Sequence, residues 1–236
     1  YLLENIMALP IIDVPTFDMT IPGTKNKVKF RPFLVKENKI LTLATASESA
    51  EDMYRACCQV IQNCSMGKLE SEKLAMFQIQ AIFLKLREKS IGNTQEFSLK
   101  CGKCDDLINY EMNLSDFEIV GNIESSQKKL EINDEVGIML KYPSAEVQLV
   151  QKELNDTEIL INSIEYVYNG EEIIRPEEET VEEMTEFIEN LPVSALSEAA
   201  EFFSNIPTLV HKVEYKCLKC ETQNEIMING YEHFFG

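Results

Sequence analysis

The chain has little with which to do chemistry. Only two histidines occur in 236 residues, and no glycine-rich phosphate loop, nucleophile elbow or metalloprotease helix is present, so enzymatic function is not expected and no catalytic or cofactor-binding residue is assigned. Long apolar runs are also missing. None approaches the ~20 residues of a membrane span, which predicts a soluble protein without a membrane partner. Tyr1 to Ile12 lacks the basic region and small-residue cleavage site of a secretory signal, so export by that route is not expected. Positive charge is scarce as well. Twenty-two basic against 40 acidic residues leave a formal charge of −18, which repels a phosphate backbone and argues against nucleic acid as a partner.

Cysteine is what the chain does have. Its seven cysteines are an odd number, and four of them form two Cys-x-x-Cys pairs, a pattern suited to a reducing compartment. Two residues between cysteines let a tight turn aim both sulfurs at one point, and two such turns complete a tetrahedral four-thiolate site with metal–sulfur distances of about 2.3 Å. Cys101, Cys104, Cys217 and Cys220 are therefore the predicted metal ligands. Structural zinc is the expected ion; iron in the same cage, or separate redox pairs, are the alternatives. Gly102 is expected to ease the first turn. With four sulfurs in place no coordination position stays open, which predicts a structural and not a catalytic ion. His211 and His233 are read as surface or hairpin residues, and Cys57, Cys58 and Cys64 as small buried residues of a helix.

Strand-like sequence flanks both pairs, so each reads as a hairpin and the two together as a split zinc ribbon. The 112 residues between Cys104 and Cys217 far exceed the about 15–20 of a compact ribbon. Residues 115–207 are thus read as an insertion, mainly helical: Glu146 to Leu154, Thr157 to Tyr168, Val181 to Leu191 and Ser194 to Ser204. Helix starts are signalled at Thr157 and at Thr180, the latter with Glu183 completing a capping box.

Ahead of the first hairpin, Pro10, Pro15 and Pro22 predict an extended arm. Lys27 to Phe33 alternates like a half-buried strand, and Leu34 to Thr45 reads as a helix. Ser49 with Glu51 and Asp52 starts another helix, ending near Cys64. Ser71 to Lys89 is apolar nearly all round, which demands burial on several sides, in a core or against a partner. The nine glutamates between Glu171 and Glu189 read first as a solvated face, although they could meet a basic partner. The predicted fold class is α+β, predominantly helical, with an extended N-terminal arm (1–26), a strand and helical region (27–93), a first ribbon hairpin (94–114), the helical insertion (115–207), and a second hairpin with an aromatic tail (208–236).

Residues 7–113 carry a resemblance. Met-Ala-Leu-Pro and Val-Pro-Thr-Phe (residues 7–10 and 14–17), Lys-Phe-Arg-Pro-Phe-Leu-Val-Lys-Glu (29–37), and Phe77 through Gly92 with Phe-Leu-Lys-Leu-Arg-Glu-Lys-Ser resemble the baseplate hub assembly family of T-even-like contractile-tailed phages. The resemblance implies a non-enzymatic protein that builds or joins the hub of the virion tail baseplate, assembled in the host cytoplasm, with other hub and tail-tube proteins as partners. It carries over no catalytic residues. The arm, the apolar helix and the tail (Tyr231, Phe234, Phe235) are the segments expected to dock on neighbouring subunits. The competing reading is a zinc-ribbon nucleic-acid-binding or transcription accessory protein, for which Lys100, Lys103, Lys216 and Lys219 beside the cysteines would form a basic tip.

Overall fold

The computed structural model describes residues 12–123, 126–150 and 154–229. The first eleven residues of the arm, His233 and the aromatic tail lie outside the described residues.

Strands β1 (Phe17–Thr20) and β2 (Lys27–Phe30) form an antiparallel hairpin in which Phe17 faces Phe30. Its turn uses Gly23 at φ 74°, a conformation that costs a residue without a Cβ little. Ile21 and Phe30 are fully buried, so the described part of the arm packs on the protein's own core.

Helix α1 (Val35–Ser47) starts where the Leu34 amide donates to the Glu37 carboxylate at 2.9 Å. Helix α2 (Ala50–Cys64) starts at Ser49, whose hydroxyl accepts from the Asp52 amide at 3.2 Å, as a capping serine should. Its buried stripe includes Val60, Ile61, Cys57, Cys58 and Cys64. The Ser71 to Lys89 segment is not one helix. A single 3-10 turn (Ser71–Lys73) precedes α3 (Met76–Ser90), and the break is held by Gln78, whose side chain accepts from the Ala75 amide at 3.0 Å and donates to the Pro22 carbonyl at 2.8 Å.

Helix α3 explains its own excess of apolar residues. Ile79, Ile82, Phe83 and Leu86 enter a first core with α1, α2 and the hairpins that follow, whereas Phe77 enters a second, with Tyr142 and Phe202. The Phe77 and Tyr142 rings meet edge-on at 6.0 Å, and Tyr142 stacks on Phe202 at 4.6 Å. The helix is thus buried inside the protein, and no partner is needed to cover it.

Two hairpins carry the cysteines: β3 (Thr94–Lys100) with β4 (Leu107–Asn113), and, at the far end, β10 (Thr208–Lys216) with β11 (Gln223–Asn229). Between them run β5 (Glu118–Val120), β6 (Gln127–Glu131), β7 (Val136–Lys141), α4 (Ala145–Val150), α5 (Asp156–Asn162), β8 (Ile164–Asn169), β9 (Glu172–Ile174), α6 (Val181–Glu189) and α7 (Val193–Ser204). Strands β6, β7, β8 and β9 form a four-stranded antiparallel sheet in that order.

The predominantly helical class is therefore wrong. Of the described residues 40% are helical and 29% are strand, in four sheets. Thr157 to Tyr168 is where the helical reading breaks: α5 starts one residue earlier, capped by Asn155, and stops at Asn162, after which Ile-Glu-Tyr-Val-Tyr-Asn is β8. β-branched and aromatic residues favour a pleated surface, and Ile164 and Val167 are buried on it. The ribbon is corrected too. The two cysteine hairpins belong to different sheets, β3-β4 standing alone and β10-β11 joined by β5, so what meets is two turns and not one ribbon.

Candidate metal centre

Each cysteine pair sits in the turn of its hairpin, and the two turns repeat the same backbone pattern. Cys101 donates its amide to Asp106 at 2.9 Å while its carbonyl accepts from Asp105 at 3.1 Å; Cys217 does the same with Thr222 and Glu221, both at 2.9 Å. The chain reverses through a left-handed residue directly after the second cysteine, Asp105 (φ 58°) in one turn and Glu221 (φ 57°) in the other. Non-glycine residues are uncommon there. Gly102 has no such conformation, so its expected role in the reversal belongs to Asp105. A Cβ at Gly102 would meet only Asn224 Oδ1, at 3.6 Å.

The turns converge on one point. Cys101 Sγ lies 3.6 Å from Cys220 Sγ and Cys104 Sγ lies 3.6 Å from Cys217 Sγ, and all four sulfurs fall within 4.8 Å of one another. A tetrahedron with metal–sulfur bonds of 2.3 Å has sulfurs ~3.8 Å apart, whereas a disulfide needs about 2.05 Å. All seven cysteines are free thiols. The donor set could thus hold one metal ion, with Cys101 and Cys217 fully buried and Cys104 and Cys220 partly exposed.

Polar groups tie the two turns together. Asn224, on β11, accepts from the Gly102 amide at 3.0 Å and donates to Cys101 Sγ at 3.7 Å. The Tyr215 hydroxyl donates to the Lys100 carbonyl at 2.7 Å. The Lys103 amide points at Cys101 Sγ from 3.5 Å, and Thr222 Oγ1 lies 3.3 Å from Cys220 Sγ. Leu99, Met112, Val213 and Ile228 anchor the hairpins in the first core.

These contacts split the thiols electrostatically. The Thr222 hydroxyl and amide hold Cys220 down at about 6, and the Lys103 and Cys104 amides lower Cys101. The Asp106 amide pulls Cys104 down, but desolvation and the neighbouring sulfurs outweigh it and push the thiol up to about 12. Four sulfurs this close repel one another as thiolates unless a cation compensates them.

Asn224, Thr222 and Asp105 escape a reading by motif. Asn224 stands seven residues after Cys217 and reaches Cys101 only because the hairpins meet, so no local pattern marks it. Three of the four lysines of the supposed basic tip are paired: Lys100 with Asp105 at 3.0 Å, Lys219 with Asp106 at 3.3 Å and Lys216 with Glu221 at 3.9 Å. His211 lies on β10, its Nδ1 3.1 Å from the Asp116 carbonyl oxygen, away from the sulfurs. Cys57, Cys58 and Cys64 are buried apart from the cluster.

The sequence profile of the T4 bacteriophage base plate protein family matches residues 14–236. The chain belongs to that family, whose role is structural and whose place is the virion tail baseplate. No curated protein and no solved structure matches it significantly.

Proposed function

We propose that the protein is a non-enzymatic structural or assembly component of the baseplate hub, assembled in the host cytoplasm with other hub and tail-tube proteins. The match to the base plate family over residues 14–236 carries this reading, and the resemblance of residues 7–113 to hub assembly proteins narrows it to the hub. Cys101, Cys104, Cys217 and Cys220 hold a structural zinc ion in this reading. The sulfur-only donor set supports zinc, and four ligands leave no coordination position for water or substrate. A crosslink closing a loop of this length stabilises a fold by about 4–5 kcal/mol on the chain-entropy relation.

Virion proteomics combined with a deletion tests the role. Detection of the protein in purified tails makes it a hub component, and its absence from virions together with a baseplate assembly defect makes it an assembly factor. Normal baseplates without the protein overturn both. Metal analysis tests the site independently: the expected content is about one zinc per chain, and clearly less metal than that removes the clasp from the proposal.

A further inference from the structure

Helix α6 covers one end of the four-stranded sheet, and the cover is incomplete. Between α6 and strands β7, β8 and β9 lies a cleft of about 330 Å³, at the small end of the range for ligand sites. Its floor is apolar: Val136 and Val167 from the sheet, Ile174 from β9, and Met184 and Phe187 from α6. Its polar lining is Asn169 with two acidic residues, Glu179 and Glu183, which form an acidic rim. Glu183 is fixed in place by the start of the helix, where its Oε2 accepts from the Thr180 amide at 3.0 Å and the Thr180 hydroxyl at 2.7 Å. Neither rim carboxylate has a basic group within 4.0 Å among the described residues.

The surroundings repeat the same sign. All nine glutamates between Glu171 and Glu189 are exposed, and the single cation among them, Arg175, reaches only Glu178, at 4.0 Å. A solvated acidic face would need no apolar cleft in its middle, and an apolar cleft awaiting any apolar group would not need this rim. From the combination we infer that the α6 cleft docks a basic-apolar segment of another protein, one apolar side chain entering the cleft while flanking Lys or Arg residues meet Glu179 and Glu183. Charge decides against the other occupants. A second copy of this chain would bring another −18, and nucleic acid would bring phosphates to a negative surface. The inference goes beyond the hub assignment and does not involve the cysteine site.

The test uses the full-length protein and three fluorescein-labelled peptides: Lys-Leu-Lys-Phe-Lys-Leu, the charge-only Lys-Ser-Lys-Ser-Lys-Ser, and the acidic Glu-Leu-Glu-Phe-Glu-Leu. Fluorescence anisotropy should show the first binding about tenfold or more tightly than the second, since burying one apolar side chain is worth at least that factor, with no binding of the third. Methyl signals of Met184 and Ile174 should move as the first peptide is added. Glu179→Lys, at an exposed position, should weaken the first peptide by about tenfold, and Ile174→Trp, which fills the cleft, should do the same. If Ile174→Trp does not fold, Glu179→Lys decides. Equal binding of the first two peptides, stationary methyl signals, no binding at all, or unchanged affinity in Glu179→Lys would each overturn the inference.

Discussion

Cys101 Sγ lies 3.6 Å from Cys220 Sγ although 119 positions separate them in the chain. Contacts of such sequence separation are costly to form, because the loop between them must close first. Two turns of the same backbone pattern place four sulfurs within 4.8 Å of one another, a set that could hold one metal ion.

The first prediction follows. Cys104→Ser or Cys217→Ser should abolish stoichiometric zinc and lower stability by about 2–4 kcal/mol. Metal content and chemical denaturation, each with and without a chelator, check it. A chelator that lowers the stability of the parent protein but not of the variants would be the expected pattern.

Asn224 should tune the site without building the fold. Asn224→Ala removes both the Gly102 and the Cys101 contacts, and loss of such supporting groups costs about 10–100-fold in metal affinity. Asn224→Asp retains an acceptor for Gly102 but loses the donor to the sulfur and sets a negative charge beside it, so it should be at least as weak. Competition against a zinc-binding dye measures both, and circular dichroism should show an unchanged fold.

Arg31 and Glu37 form the buried ion pair of the N-terminal region, 2.9 Å apart with Glu37 fully buried and the Arg31 side chain 15% exposed. Burial alone would raise the Glu37 carboxyl, but the Arg31 hydrogen bond, the Leu34 amide and the charges of Arg31 and Lys36 together hold it below its usual 4.5. A carboxyl lowered on folding contributes stability that is fully present above the unfolded value and is lost as pH falls through the folded one. Glu37→Gln should therefore cost about 3–5 kcal/mol at neutral pH, because it strands a buried guanidinium, and should flatten the loss of stability below about pH 4.5. Denaturation midpoints across that range check the sign.

Phe77 should matter to both halves of the protein. Phe77→Ala should cost about 3–5 kcal/mol. Because its helix also fills the first core through Ile79, Ile82 and Phe83, unfolding followed at Tyr142 and at the cysteine hairpins should lose stability together. Separate transitions from those two probes would show that α3 does not couple them.

Features set by near neighbours are legible in the sequence. Ser49 marks the start of α2, Thr180 with Glu183 that of α6, and the flanking alternation marks both cysteine hairpins, because capping and pleating act over one to four residues. The convergence of the four cysteines is legible from their spacing alone. Illegible is what depends on distant partners. Strands β6 and β7 exist by pairing with one another and with β8, and Tyr166 to Tyr168 can be read as the end of a helix until that sheet is known. The turn residues Asp105 and Glu221, and the reach of Asn224 to Cys101, follow from tertiary geometry, so no motif announces them.

The position of the two cysteine turns also has a mechanical side. With the proposed ion in place, tension applied along the backbone from either side would cross from Cys101 and Cys104 directly to Cys217 and Cys220. The stretch from Asp105 to Lys216, with the four-stranded sheet and the α6 cleft inside it, would then sit off the load path. In a tail part that transmits force, such a bypass would keep a docking surface undistorted while its frame is pulled.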